Sequence, residues 1–213
     1  NPFLKMLDTV TIPLVIVERP EQGLFKHASF VTVDNVQAAM DAVNHLIRIG
    51  YQRIGTLTGE LANPDGYDRY IGYQQAMRTS RFGYDSRLAI EGVFSRTSGY
   101  LGMKKLIERG VDAVFAANDQ IALGALDAVL EEGLRCPQDI GLVGFDDLPA
   151  SSSTRPKLTT IHQPIQERGA TAMRLLLDQI EGVEEGGREV ILPTQLIIRE
   201  SCGMHGRGDE TIR

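Results

Sequence analysis

Short apolar runs and longer amphipathic stretches alternate along nearly the whole chain. Residues 11–17 (TIPLVIV) are apolar and largely β-branched, the pattern of a strand covered on both faces. Residues 30–33 (FVTV) read as a second strand, closed by Asp34 and Asn35. In VQAAMDAVNHLIRIG, Val36, Ala39, Val43, Leu46 and Ile47 share one helical stripe, and Gly50 ends it. The same reading gives strands over 53–59, 88–94, 112–118, 139–147 and 158–163, with helices over 68–80, 98–109 and from Asp119 to Gly133. Pro164 suits the first position of a helix running to Ile180. EVILPTQLIIR is the last extended segment. Strands alternating with crossover helices predict a parallel, doubly wound α/β architecture. A helix fragment at Pro2–Leu7 leads into the first strand, and the weakly apolar stretch 203–213 reads as a tail. The first lobe reads as incomplete, because such a sheet rarely begins so late in its own βα alternation.

Composition narrows the function. The 213 residues carry 22 Lys+Arg against 28 Asp+Glu, a net charge of −6, and no basic cluster of the kind that neutralises phosphates. The chain by itself is therefore not expected to grip nucleic acid. No apolar run approaches a membrane span, and no signal peptide opens the sequence. The two cysteines, Cys136 and Cys202, form neither a metal spacing nor a redox pair, which agrees with a reduced cytoplasmic setting.

Ligands of open α/β sheets bind beyond the carboxyl ends of the strands. Glu18, Asp34-Asn35, the Asn63/Asp65 loop with Arg69, Phe94, Asn118-Asp119 and Asp146-Asp147 stand at those ends. Asp119 is expected to cap the helix after it, and Asn35 and Asp65 stand where caps of their own helices belong. Asn118 is then left to face a ligand. Arg69, Asn118 and Asp146 supply fixed donors and acceptors suited to vicinal hydroxyls or a polar heterocycle, and Phe94 an aromatic face for a sugar or base. No histidine pairs with a nucleophile, no glycine-rich phosphate loop is present, and the adjacent carboxylates lack the partners of a metal site. The set reads as a binding site without catalysis, cofactor or metal.

VTVDNVQAAMDAVNHLIRIGYQRIGTLTG, DRYIGYQQAM, DAVFAANDQIALGALDAVLEEGLRCPQDIGLVGFDD, LTTIHQPIQERGATAMRLLLDQIEG and LPTQLIIRESC, in this order and at these separations, resemble the effector-binding core of the LacI/GalR family of bacterial transcription regulators, over roughly residues 11–202. The resemblance implies two periplasmic-binding-protein-like lobes, 1–33 with 163–192 and 34–162 with 193–202, then the tail 203–213. It implies a small polar effector, a sugar or derivative, held in the cleft between lobes by Arg69, Asn118, Asp146, Phe94, Asn63, Asp65 and Glu18. It further implies a homodimer, and operator DNA reached through a headpiece that this chain lacks, along with the first βαβα portion of the N-terminal lobe. Asn63 and Glu18 stand where family members vary, so no relative's effector transfers directly. A periplasmic sugar receptor of an ABC transporter shares the fold and is the alternative, set against the missing signal peptide and the LTTIHQP…LIIRESC pattern. A sugar-processing hydrolase lacks a credible carboxylate pair.

Overall fold

The computed structural model describes residues 12–19, 25, 27–183 and 185–203, and its strands fall into two sheets. The expected helix at Pro2–Leu7 and nearly all of the tail lie outside the described residues. The chain divides into two units: the described residues up to Asp34 with Pro164–Thr194, and Asn35–Gln163 with the described residues from Gln195 onward.

In the first unit, β1 (Val15–Val17), β2 (Ser29–Val33) and a strand at Glu189–Leu192 form a three-stranded parallel sheet with β2 in the middle. A helix at Ile165–Ile180 packs on β1 and β2. Val31 and Val33 meet Ala172 and Leu175 there, with Leu192 closing the cluster. Pro164 holds the N-cap position of this helix, not its first turn.

The second unit contains α1 (Asn35–Arg48), β3 (Ile54–Leu57), α2 (Pro64–Thr79), β4 (Ala89–Ile90), α3 (Arg96–Glu108), β5 (Ala113–Ala116), α4 (Asp119–Glu131), β6 (Gly141–Asp146) and β7 (Thr159–His162). The Ile165–Ile180 helix is thus α5, Glu189–Leu192 is β8, and β9 (Gln195–Ile197) completes the larger sheet in the order β4-β3-β5-β6-β7-β9. All neighbours are parallel except β9, which runs antiparallel to β7. The expected single segment EVILPTQLIIR is therefore two strands in two sheets, broken at Pro193-Thr194.

Alternation along β5 shows why this sheet is covered twice. Val114 and Ala116 join the cluster under α3 and α4, while Ala113 and Phe115 join the one under α1 and α2. All four residues are buried. On one side α3 and α4 touch backbone to backbone: a Cβ on Gly124 would stand 1.8 Å from the Arg96 carbonyl oxygen, so only glycine fits. The expected strand over 88–94 shrinks to Ala89–Ile90, because the Ser98 hydroxyl takes the Val93 N–H into the approach to α3. Phe94 consequently stands on a loop beyond the sheet.

Candidate functional site

The carboxyl ends of β5 and β6 converge on one buried cation, Arg69. It sits in the second turn of α2, whose start is fixed by Asn63: the Asn63 carboxamide oxygen accepts the N–H groups of Asp65 at 2.9 Å and Gly66 at 3.3 Å. From there Arg69, only 4% exposed, reaches across the sheet end. Its Nε donates to Asn35 Oδ1 at 2.8 Å and its Nη1 to the Ala117 carbonyl at 2.7 Å. Asp146 Oδ1 lies 3.6 Å from Nη1, and Asp65 Oδ2 3.9 Å from Nη2. The guanidinium carbon stands 3.8 Å from the ring centroid of Phe145 and 6.0 Å from that of Phe94. Two carboxylates, two amide oxygens and two aromatic rings compensate for removing this charge from water.

Three capping roles expected from the sequence are corrected by this geometry. Asp119 does not cap α4: Asn118 has the extended backbone of an N-cap, and its Oδ1 accepts the Ile121 N–H at 2.9 Å. Asp119 is the first helical residue and turns into the core, where the β6–β7 region presents three donors. Asn35 likewise begins α1 instead of capping it. Its amide nitrogen donates to Asp65 Oδ1 at 3.0 Å while its oxygen serves Arg69, so it ties α1 to α2. Asp65, the other candidate cap, is replaced in that duty by Asn63.

Asp146 ends β6 at φ 112°, and Asp147 follows at φ 59°; neither is glycine. Such backbone costs on the order of 1–3 kcal/mol per residue and persists only where the surroundings over-determine it. Gln163 Nε2 donates to Asp146 Oδ1 at 2.7 Å. Asp146 Oδ2 accepts no hydrogen bond among the described residues, and neither does the Asn118 amide nitrogen donate one. Burial pushes the Asp146 carboxyl up to about 6, against the pull of Arg69 and the Gln163 amide. Asp147 points elsewhere, to Arg199 at 2.6 Å and His162 at 2.9 Å, and fastens β6 to β7 and the segment after β9.

Phe94 is seated by two glycines. A Cβ on Gly59 would lie 2.3 Å from its Cζ, and one on Gly66 3.4 Å away. The ring is therefore held close to the Arg69 guanidinium although it comes from a loop. Arg69, Asp65, Asp146, Phe94 and Asn35 come together, and Asn118 follows the carbonyl that Arg69 holds. Glu18, at φ 131° and exposed, belongs to the first unit. Phe145 and Gln163 escaped the sequence reading. Phe145 had a signal: it shares strand parity with Val143, whose face lies under α1 and α2. Gln163 had none. Among the described residues no three His, Cys, Asp or Glu side chains gather as a metal site, and no helix is long and apolar enough to cross a membrane.

Comparison with known proteins places this geometry. Residues 43–202 match the family of periplasmic binding protein-like domains. The HTH-type transcriptional regulator CelR of Thermobifida fusca is 35% identical over 203 residues, covering 94% of this chain and 60% of that protein. The HTH-type transcriptional repressor PurR of Haemophilus influenzae is 36% identical over 197 residues, covering 90% and 57%. The chain thus spans somewhat over half the length of these curated relatives. A solved structure, a transcriptional regulator CelR–cellobiose complex, superposes with a TM-score of 0.89 at 35% identity, over 94% of this chain and 62% of that one. With sequence and superposed fold in agreement, the chain belongs to the family of periplasmic binding protein-like domains, and the solved structures it resembles include regulators of the LacI family.

Proposed function

We propose that this chain is the effector-binding and dimerisation region of a cytoplasmic LacI/GalR-type repressor. It binds a small polar metabolite, a sugar or sugar derivative, without transforming it, and occupancy alters how the full-length protein, as a homodimer, holds operator DNA. The observation that carries this reading is the pair of unspent groups at the carboxyl ends of the neighbouring parallel strands β5 and β6. Asp146 Oδ2 offers an acceptor and Asn118 Nδ2 a donor, both backed by the buried Arg69. A hydroxyl both donates and accepts, so adjacent hydroxyls match such a pair, and Phe94 offers an apolar face for the carbon ring. That a regulator of this family was solved with cellobiose supports a sugar-like effector.

A ligand shifts a conformational equilibrium only by its differential affinity for the two states. Coupling between sites is typically about 1–3 kcal/mol, and a hydrogen bond to a charged group contributes about 1.5–3 kcal/mol. One or two contacts to Asp146 made in a single state suffice. The test is a thermal-shift panel of sugars, nucleosides and phosphorylated sugars, followed by Asp146→Ala and Arg69→Ala. A hit is expected to stabilise the unaltered chain by RT ln(1 + [L]/Kd) and to leave both variants folded but unshifted. Full ligand-induced stabilisation in both variants refutes the site.

A further inference from the structure

Asp119 is fully buried, and its carboxylate collects three donors. Oδ2 accepts the Leu148 N–H at 2.8 Å and the Ser151 hydroxyl at 2.6 Å, while Oδ1 accepts the Thr160 hydroxyl at 2.6 Å. Thr160 Oγ1 in turn accepts the Asp147 N–H at 3.4 Å. The two backbone amides directly after Asp146 are therefore both tied to one carboxylate, the first through a hydroxyl relay and the second directly. Space for it is reserved in β6, where a Cβ on Gly144 would lie 2.3 Å from Asp119 Oδ1. The tied segment is the one whose backbone stands at positive φ at Asp146 and Asp147. A left-handed turn of two non-glycine residues relaxes unless its neighbours hold it.

We propose that Asp119 is a positioning residue: by anchoring the Asp147 and Leu148 amides it holds the turn that presents the Asp146 carboxylate to the effector. The inference rests on reading Asp146 as an effector contact. It separates the neighbours Asn118 and Asp119 by task. Asn118 caps α4 and keeps an amide nitrogen without a partner among the described residues, whereas Asp119 bears on the site through the backbone after Asp146. An asparagine at 119 retains one acceptor oxygen and cannot serve donors at both positions.

Asp119→Asn disturbs ties of the core itself, so the decisive variants are Thr160→Val, which keeps size and deletes the relay, and Thr160→Ser, which restores the hydroxyl. Leu106→Ala, in the core under α3, is the control for general loss of stability. Two arms are read. Without ligand, amide exchange at Asp147 and the carboxyl titration of Asp146 by NMR are expected to change in Thr160→Val and to return to the unaltered values in Thr160→Ser. With whichever sugar of a cellobiose, ribose and nucleoside panel binds the unaltered chain, calorimetry is expected to show affinity weakened about tenfold in Thr160→Val, as for lost supports of a binding group. Affinity stays within about twofold in Thr160→Ser and Leu106→Ala, since neither removes such a support. Equal affinity in Thr160→Val and the unaltered chain, or an unmoved Asp147 amide and Asp146 titration, overturns the proposal. If nothing in the panel binds the unaltered chain, the effector reading fails for those ligands, and the ligand-free arm alone decides whether Asp119 holds the turn.

Discussion

Asp146→Asn is expected to stabilise the ligand-free chain while weakening its hold on the effector. The Asp146 side chain is 19% exposed, and burial lifts its carboxyl from an ordinary 3.8 to about 6 even beside Arg69. An acid whose proton is bound more tightly in the folded state destabilises that state once ionised. The deficit is complete above pH 6 and is recovered as the pH falls from 6 toward 3.8. At ~1.4 kcal/mol per decade of proton affinity, the displacement corresponds to about 3 kcal/mol. Asparagine keeps the acceptor for Gln163 but gives up the attraction to Arg69, so a net gain of about 1–3 kcal/mol is expected at pH 7.5, or roughly 5 °C in Tm for a chain of this size. Thermal and urea unfolding of both proteins at pH 7.5 and pH 5 reads it. The gap narrows at pH 5, where the natural carboxyl is already largely protonated. A variant less stable than the natural chain at pH 7.5 refutes the reasoning, because the ion pair with Arg69 would then outweigh desolvation.

The same displacement makes effector affinity pH-dependent: if the ionised carboxylate is the acceptor, affinity is flat above pH 6 and falls about tenfold per unit well below it, measured by calorimetry in matched buffers. Asn118→Ala removes the α4 cap and is expected to cost about 1 kcal/mol in urea unfolding, while Asn118→Asp keeps the cap acceptor, restores stability and still lacks the amide donor for the effector. Gly59→Ala places a methyl where the Phe94 ring now lies, so it is expected to weaken sugar binding several-fold with little change in far-UV circular dichroism. Arg69→Ala leaves Asp65, Asp146 and the Ala117 carbonyl without their cation and is expected to cost about 3–5 kcal/mol in urea unfolding. A loss below 1 kcal/mol would show that the cluster is held by other groups.

The alternation of buried strands and helices was legible because periodicity records burial, and the second unit's strands are buried on both faces. Strand ends were legible for a related reason: polar residues abruptly follow apolar runs at Asn118 and Asp146. What periodicity does not record is which of two adjacent polar residues turns inward. Asn118 and Asp119 are both good caps by type, and their division of labour depends on Ser151 and Thr160, 32 and 41 residues further on. Asn35 is the same case, since its partners Asp65 and Arg69 lie on another helix. The strand over 88–94 was overextended because EGVF is apolar enough in pattern, yet its backbone is drawn away by Ser98. Phe145 was hidden in a run that reads equally as core, and only the position of Arg69 on α2 reveals the stacked cation.

The most direct test of whether the carboxyl ends of these parallel strands hold a small hydroxylated molecule is calorimetric titration of the unaltered chain and Asp146→Asn with the sugar that raises Tm most. The account predicts one sugar bound per chain, unchanged in chemical form after recovery, and at least a tenfold loss of affinity in the more stable variant. Equal affinity in the two proteins, or recovery of a converted sugar, would contradict it.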